Sequence, residues 1–353
     1  MSDTAPRRPL ARAPRGFLDR RAAELAAERR LIEAVSAVYE RFGFEPLATP
    51  AFESVDALGK FLPDSDRPNE GVFALQDDDE SWIALRYDLT APLARYVAEH
   101  REGLPRPFRR YAVGPVWRNE KPGPGRFREF IQCDADIVGS DRPEADAEMI
   151  ALAQAGLKAA GLGAGEVTVR VNDRALLNGL LASAGVHAPA QRLAVLRAAD
   201  KLDRLGLEGV RQLLGKGRLD ESGAFTRGAE LADASAEAVL AFVSAGGGTR
   251  REVLDRLAGV VGGTPDGEAG LERLQRIDAA LCAQGVAEAD AVFDPAVVRG
   301  LEYYTGPVFE AELALETRDE HGRPVRFGSV GGGGRYDDLV ARFTGERVPA
   351  TGF

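Results

Sequence analysis

Polar side chains recur with a period of two in GRFREFIQCDAD, residues 125–136. On an extended chain one face is mostly apolar and consists of Glu129, Ile131, Cys133 and Ala135. The opposite, polar face consists of Arg126, Arg128, Phe130, Gln132, Asp134 and Asp136. A row of cations, an amide and carboxylates could form the floor of a polar binding site. It could equally be the solvated edge of a half-buried strand, and the segment alone does not separate these interpretations.

Three further segments carry side chains that could do chemistry. RYDLT places Arg86, Asp88 and Thr90 on one face of an extended chain, which offers an anion and a hydroxyl to an ammonium group, although such triplets are common. RGLEYYTG, residues 299–306, contains one arginine near two tyrosines, either as phenolic donors beside a cation or as core aromatics with a surface charge. GSVGGGGRYDD, residues 328–338, could bind an anion through backbone N–H groups. It lacks the lysine of a phosphate loop, however, and we expect a tight turn there.

Composition limits the class of protein. The chain has 353 residues, a net charge of -10, two cysteines and three histidines. The charge argues against binding nucleic acid through a bulk field, although a local basic patch could still dock a phosphate backbone. Cys133 and Cys282 have neither ligand nor disulfide spacing, so we expect a reduced protein in the cytoplasm without a tightly bound metal. No apolar run has the length of a signal peptide or a membrane span, so we expect no membrane partner.

Periodicity predicts the elements that must position these side chains. Residues 20–42 have helical spacing, and a hairpin that turns at residues 77–80 precedes a helix from about Thr90. The glycines and prolines of NEKPGPG, residues 119–125, predict a loop between the two strands of a long antiparallel hairpin. Residues 174–289 have mostly helical periodicity, which predicts a helical insertion before strands return.

Taken together, the polar segments resemble the histidyl-tRNA synthetases, which are class II aminoacyl-tRNA synthetases. RRYAVGPVWRNEKPGPGRFREFIQCDADIVG is similar to the second class II motif in its histidyl form, and LRYDLTAPLARYV is similar to the amino-acid-binding segment. VVRGLEYYTGPVFE and GGGGRYDDL resemble the two histidine-specific signatures. The resemblance covers residues 14–353. It implies an α+β fold: a mostly antiparallel sheet flanked by helices, with a helical insertion.

The resemblance also implies a reaction. Histidine and ATP would form histidyl-adenylate, and the histidyl group would pass to the 3′ end of tRNA(His). ATP would enter with Mg²⁺ as a substrate complex, and the enzyme would be a homodimer. Attack of a carboxylate on the α-phosphate brings anions together, so positioned cations should lower the barrier. Arg118 and Arg299 match the catalytic cations of the family.

Matching positions imply the remaining site residues. The α-amino group of histidine would meet Asp88, Thr90 and Gln132. The rest of the histidine site, including the pocket for the imidazole, corresponds to Asp136, Tyr303, Tyr304 and Tyr336. The ATP site corresponds to Arg118, Glu120, Arg126 and Arg299. The acceptor end of the tRNA is expected at Lys121 and Arg126.

The same comparison divides the chain into three parts. Residues 1–172 and 291–353 would form the catalytic core, and residues 173–290 would form the insertion domain. The chain stops at VPATGF, where the family continues into a third motif, whose arginine clamps ATP, and then into an anticodon-binding domain. We therefore expect a truncated sequence that binds histidine weakly and is nearly inactive. NEKPGPG has fewer charged and amide side chains than the equivalent loop of many bacterial members, which leaves open the tRNA features that it reads.

Two other classes of protein fit parts of the sequence. The synthetase-like regulatory subunit of ATP phosphoribosyltransferase lacks the anticodon domain and does not charge tRNA. It would not need a phosphate-contacting arginine, whereas this chain keeps RGLEYYTG whole together with Arg118, which favours the synthetase. An acidic helical scaffold with a strand-rich cap explains the composition but leaves the polar segments unexplained.

Overall fold

The structure is a computed structural model that describes residues 10–58, 71–123, 125–219, 223–298, 300, 303–315, 317–318, 322, 324–325 and 328–353. Its strands are β1 (Glu45–Pro46), β2 (Phe52–Ser54), β3 (Ala74–Gln76), β4 (Trp82–Leu85), β5 (Phe108–Trp117), β6 (Glu129–Val138), β7 (Val167–Asp173), β8 (Gly217–Leu219), β9 (Phe225–Arg227), β10 (Ala291–Phe293), β11 (Pro307–Leu313), β12 (Thr317–Arg318), β13 (Pro324–Val325), β14 (Ser329–Arg335) and β15 (Ala350–Gly352). Its helices are α1 (Ala22–Arg41), α2 (Val55–Leu58), α3 (Thr90–His100), α4 (Pro143–Ala159), α5 (Arg174–Ser183), α6 (Pro189–Ala199), α7 (Leu202–Leu214), α8 (Asp233–Val243), α9 (Arg250–Val261), α10 (Pro265–Ala283) and α11 (Ala341–Thr344).

An eight-stranded sheet in the order β1-β5-β6-β15-β14-β11-β7-β10 forms the centre of the fold. The inner pairs are antiparallel, and the two outermost pairs, β1 with β5 and β7 with β10, are parallel. The predicted α+β fold, with a mostly antiparallel sheet and flanking helices, is confirmed. The predicted first helix, the hairpin β3–β4 and the helix from Thr90 are confirmed as well. Among the described residues, no helix combines the length and apolarity that crossing a membrane requires.

The long hairpin β5–β6 is the predicted one, and it pairs from Phe108 with Val138 to Trp117 with Glu129. One detail of the prediction is wrong: Arg126 and Arg128 precede the strand. The Arg128 side chain turns back onto the side chain of Asn119 and the carbonyl of Glu120, 3.2 Å away. Because proline and glycine keep this loop irregular, the alternating face begins only at Phe130.

Helices α1 and α4 cover the apolar face of β6. Val38 and Tyr39 of α1 and Ile150 of α4 are buried in the same cluster as Ala135. The Tyr39 hydroxyl also donates a hydrogen bond to the carbonyl of Cys133, at 3.0 Å. The predicted packing of this strand face against helices is therefore confirmed. Since side chains alternate across a strand, Phe130, Gln132, Asp134 and Asp136 emerge on the other face.

The segment between β7 and β10 is mostly helical, as predicted, and contains the short hairpin β8–β9. Buried side chains from its helices, such as Leu176, Phe242 and Leu274, belong to the same hydrophobic cluster as the central sheet. The helical insertion therefore shares a core with the sheet. The domain boundaries at residues 172 and 290 stay predictions.

The glycine run 331–334 lies inside strand β14, so the prediction of a tight turn is wrong. β14 pairs with β11 on one side and with β15 on the other. A Cβ atom on Gly333 would lie 2.2 Å from the carbonyl oxygen of Gly352 and 2.5 Å from the Phe309 ring. On Gly331 it would lie 2.5 Å from the Phe353 ring. The glycines serve close packing of strands and rings, which leaves room for a cleft above them.

Candidate active site

A cleft with a volume of about 510 Å³ lies over the polar face of β6. It is bounded by the start of α3, the end of β5, the tyrosines after Gly300 and the glycines of β14. Eight side chains that the sequence predicted for the site line it: Asp88, Thr90, Arg118, Gln132, Asp136, Tyr303, Tyr304 and Tyr336. The cleft therefore brings together segments that lie more than 200 residues apart in the sequence.

One end of the cleft is built by the beginning of α3. The Asp88 carboxylate accepts a hydrogen bond from the backbone N–H of Ala91, at 2.9 Å, and Thr90 is the first residue of the helix. Burial raises the pKa of Asp88, whereas the Ala91 hydrogen bond and the Arg118 cation lower it. Arg86 does not share this face, contrary to the prediction. Its guanidinium is buried and donates to the carbonyls of Thr49, at 2.7 Å, and Pro115, at 3.0 Å, so it ties backbone segments together.

The other end of the cleft is closed by a buried ion pair. Arg110 Nη2 lies 2.8 Å from Asp136 Oδ2, and each residue is only 1% exposed. Arg110 also donates to the Leu89 carbonyl at 2.7 Å, and the Tyr336 hydroxyl donates to Asp136 Oδ1. Burial raises the pKa of Asp136, and the Arg110 cation and the Tyr336 hydrogen bond oppose this rise. Asp136 thus has one ion pair and one hydrogen bond inside the protein, although its Oδ2 atom has no hydrogen-bond partner among the described residues.

Unsatisfied polar atoms lie between these two ends. Gln132 Oε1 and the Tyr303 hydroxyl are buried and have no hydrogen-bond partner among the described residues. Asp134, half-buried, stands on β6 between Gln132 and Asp136. The pKa of Asp134 is raised to about 7, because burial and the charges of Asp136 and Asp88 together outweigh the lowering effects of Arg110 and Arg118. Buried polar atoms without partners cost free energy, so the cleft is suited to a small polar ligand that supplies them.

Arg118 occupies the end of β5 at the rim of this region. Its Nε donates to the Tyr87 carbonyl at 3.1 Å, and its guanidinium lies 5.1 Å from the centre of the Phe130 ring. This arrangement fixes a cation beside the cleft. Glu120, Lys121 and Arg126 are exposed in the loop between β5 and β6 and do not line the cleft.

The tyrosine segment is anchored by Arg174 at the start of α5. The Arg174 backbone N–H donates to the Gly306 carbonyl at 3.0 Å, and its buried guanidinium donates to the Gly300 carbonyl. Gly300 has a φ of 61°, and a Cβ there would lie 2.1 Å from the Tyr304 ring, so this position requires glycine. Arg299, the predicted catalytic cation, lies outside the described residues.

Sequence reasoning gave no role to Arg110 or to Asp134. A signal for Arg110 existed, because counting outward from the hairpin loop pairs it with Asp136. Asp134 was visible on the polar face of the strand, but its surroundings among the described residues depend on segments far away in the sequence. Among the described residues, no group of three or more His, Cys, Asp or Glu is arranged to hold a metal ion.

Comparisons with known proteins agree with the geometry of the cleft. A family model for histidyl-tRNA synthetase matches residues 16–353. The histidine–tRNA ligase of Caulobacter vibrioides is 68% identical over 347 residues, which are 98% of this chain and 70% of that protein. The histidine–tRNA ligase of Dinoroseobacter shibae is 55% identical over 353 residues, with 98% and 71% of the two chains covered.

Solved structures resemble the fold over nearly the whole chain. The histidyl-tRNA synthetase from Nostoc sp. PCC 7120 matches with a TM-score of 0.79 and 28% identity, covering 98% of this chain and 73% of the other. A protein from Bacillus halodurans described as an ATP phosphoribosyltransferase regulatory subunit/histidyl-tRNA synthetase matches with a TM-score of 0.78 and 25% identity, covering 98% and 81%. The family match and the high identity to curated ligases agree with the cleft. The chain belongs to the histidyl-tRNA synthetase family.

Proposed function

We propose that this chain is a histidine–tRNA ligase, which activates histidine with ATP to histidyl-adenylate and transfers the histidyl group to the 3′ end of tRNA(His). The observation that carries the proposal is the polar cleft on β6, with carboxylates at both ends and unsatisfied buried atoms between them. An amino acid with a polar ring has an ammonium group at one end and ring nitrogens at the other, so it complements this distribution.

The amino end of histidine is assigned to Asp88, Thr90 and Gln132. An ammonium group beside Asp88 would favour the ionised carboxylate, against the effect of burial. The unpartnered Gln132 oxygen could accept a further N–H from the same group. Asp136, Tyr303, Tyr304 and Tyr336 are assigned to the walls around the imidazole.

The ATP phosphates are assigned to the Arg118 side of the cleft. Arg118 is held by the Tyr87 carbonyl, which supports the assignment because a cation fixed in advance would stabilise the negative charge that develops on the α-phosphate. We assign Arg299, Glu120 and Arg126 to the same substrate. Mg²⁺ would enter with ATP as part of the substrate complex, and a tightly bound metal is not proposed.

The remaining partners follow from the same reaction. Lys121 and Arg126 are assigned to the acceptor end of tRNA(His), because both are exposed cations on the loop beside the cleft. We further propose that the enzyme is a homodimer and acts in the cytoplasm.

The test is histidine-dependent exchange of pyrophosphate into ATP, followed by charging of tRNA. We expect exchange with histidine and not with the other amino acids, and charging of histidine tRNA alone. A regulatory subunit of ATP phosphoribosyltransferase would bind histidine but catalyse neither step, so histidine binding without exchange would favour that alternative. Exchange that depends on another amino acid would contradict both functions.

A further inference from the structure

A second buried ion pair lies behind the cleft, where α4 covers the other face of the central sheet. Asp146 in the first turn of α4 is fully buried, and Arg335 at the end of β14 is 5% exposed. Arg335 Nη2 and Nε lie 2.7 Å and 3.1 Å from Asp146 Oδ2. The same guanidinium donates to the carbonyls of Ser140, at 2.9 Å, and Arg142, at 3.2 Å. The Arg335 side chain therefore joins β14 to the turn between β6 and α4.

Arg335 is followed in the chain by Tyr336, which lines the cleft. Successive side chains of an extended chain point to opposite faces, so Arg335 meets α4 while Tyr336 faces the cleft. Tyr336 is 2% exposed, and its backbone N–H donates to the Ala350 carbonyl at 2.8 Å. The backbone that carries the Tyr336 ring is thus held from behind by the arginine.

The tyrosine segment after Gly300 is fastened to the same stretch of backbone. The Thr305 N–H donates to the Arg335 carbonyl at 2.7 Å, and the Thr305 hydroxyl accepts from the Asp337 N–H at 3.1 Å. Tyr304, the residue before Thr305, lines the cleft. A Cβ atom on Gly306 would lie 3.2 Å from Arg335 Cδ, so the segment also packs on the arginine itself. Two walls of the cleft therefore depend on the position of one buried side chain.

Stability alone is a weak reason for this ion pair. Burying two charges costs free energy that offsets most of their attraction, and apolar side chains often fill such a position equally well. The Asp146 carboxyl bears such a cost. Its pKa is raised to about 6, because burial and the charge of Asp173 outweigh the lowering effects of Arg335 and Thr351. What an arginine offers beyond an apolar side chain is a rigid set of donors, which fixes the segments it binds relative to one another.

Resting on the proposed function, we infer that Asp146 and Arg335 are positioning residues for the histidine site. Asp146 orients the guanidinium, and the guanidinium fixes the backbone that carries Tyr336 and Thr305. Tyr303, whose ring centre lies 5.8 Å from that of Tyr336, thereby keeps its spacing to the opposite wall of the cleft. Neither member of the pair lines the cleft, so both act through the tyrosines and not by touching the ligand.

The chain offers a matched control for this inference. Arg250 on α9 is also buried, at 1% exposed, and its Nε lies 2.6 Å from the Asp278 carboxylate of α10. It donates as well to the Ala291 carbonyl of β10, at 2.9 Å. This arginine has the same kind of partners as Arg335 but does not border the cleft. Arg250→Met should therefore lower the melting temperature without changing histidine binding.

The experiment measures histidine affinity by titration calorimetry, together with melting temperatures, on the 353-residue chain. In Arg335→Met we expect the Kd for histidine to rise about tenfold or more, which is a typical effect of losing a residue that orients a ligand-binding group. Arg335→Lys keeps the charge beside Asp146 but not the fork of donors, so it should restore the affinity in part. The double variant Arg335→Met with Asp146→Leu should recover melting temperature, because no buried charge is left, but not affinity.

A spectroscopic measurement reports the position of the ring directly. The chain has seven tyrosines, which can be replaced by fluorotyrosine, and the fluorine NMR signal of Tyr336 is assigned by its loss in Tyr336→Phe. We expect this signal to shift in Arg335→Met and in the double variant, and to stay in place in Arg250→Met. Since the double variant contains no unpaired buried charge, it provides the same test should Arg335→Met fold poorly.

Four results would overturn the inference. They are an unchanged Kd in the folded Arg335 variants, an equal loss of affinity in Arg250→Met, affinity that returns with stability in the double variant, and an unmoved Tyr336 signal. Failure of the unmodified chain to bind histidine would instead contradict the proposed function, and this inference with it.

Discussion

At the scale of single residues, the cleft floor has two carboxylates in different surroundings, because Asp136 forms an ion pair with a buried arginine and Asp134 lines the cleft beside it. Arg110 forms an ion pair with Asp136 Oδ2, and the Tyr336 hydroxyl donates a hydrogen bond to Asp136 Oδ1. Arg110 also lowers the pKa of Asp134, but no hydrogen bond or ion pair joins the Asp134 carboxylate to another of the described residues. The two acids should therefore respond to substitution in opposite directions, although they are neighbours on one strand face.

Removing the cation of the buried pair should destabilise the fold. In Arg110→Leu the Asp136 carboxylate would remain buried without its charge partner, which typically costs about 3–5 kcal/mol. The double variant Arg110→Leu with Asp136→Asn should recover part of this loss, because no buried charge is left. Urea denaturation at neutral pH measures both changes, and a loss below about 1 kcal/mol in the single variant would show that the pair contributes little.

Asp134→Asn should stabilise the empty protein, and the gain should depend on pH. The carboxyl has a pKa of about 7 in the fold, raised from 3.8, so the folded state binds the proton more tightly than the unfolded chain. Stability is then lost as pH rises from about 4 to about 7 and stays reduced above. We expect the variant to gain about 1–3 kcal/mol at pH 8 and little at pH 4.5, allowing for partial solvent screening. Denaturation curves at the two pH values measure this, and a gain independent of pH would rule out titration of Asp134 as its cause.

At the scale of elements, the glycine strand β14 decides how closely the sheet approaches the cleft. Its glycines lie under the rings of Phe309 and Phe353 and beside the backbone of β15. The hairpin β5–β6 supplies the polar floor next to it, and Arg174 fixes both ends of the tyrosine segment. The cleft therefore depends on a strand without side chains lying beside a strand rich in polar side chains.

Adjacent glycines in β14 should respond differently to alanine. In Gly333→Ala the new methyl group would meet the Gly352 carbonyl and the Phe309 ring, and we expect a loss of about 1–3 kcal/mol. Gly332→Ala is the matched control, because its nearest contact would be the Phe309 carbonyl at 3.7 Å. Melting temperatures of the two variants give the comparison, and equal destabilisation would point to a general strand effect of removing glycine.

At the scale of the whole molecule, a net charge of -10 coexists with a small group of exposed cations beside the cleft. An acidic protein is expected to repel nucleic acid except where local charge is positive. The loop between β5 and β6 presents Lys121 and Arg126 to solvent at such a place. Recognition of tRNA at the cleft should therefore depend on few contacts and be sensitive to their loss.

Replacing Lys121 and Arg126 together by alanine should weaken tRNA binding and aminoacyl transfer more than histidine binding. Loss of about two phosphate contacts should also lower the slope of log affinity against log salt by roughly 1.5. Arg251→Ala, which removes an exposed cation on α9, is the matched control. The measurements are tRNA affinity at several salt concentrations and histidine titration. An equal loss of histidine affinity would contradict the assignment of the loop to tRNA.

The sequence by itself determined the class of fold and most of the cleft residues, because periodicity marks strands and helices locally. The alternation of β6 identified Gln132 and Asp136, and the glycines and prolines after Arg118 identified the hairpin. Only the tertiary structure decided which polar side chains satisfy one another. Arg86 binds backbone carbonyls, Asp136 forms an ion pair with Arg110, and Asp134 has no hydrogen bond or ion pair to another described residue. Such pairings depend on distances between segments far apart in the chain, and local spacing does not encode them. For the same reason the glycine run was mistaken for a turn, since its need for glycine comes from rings and carbonyls on neighbouring strands.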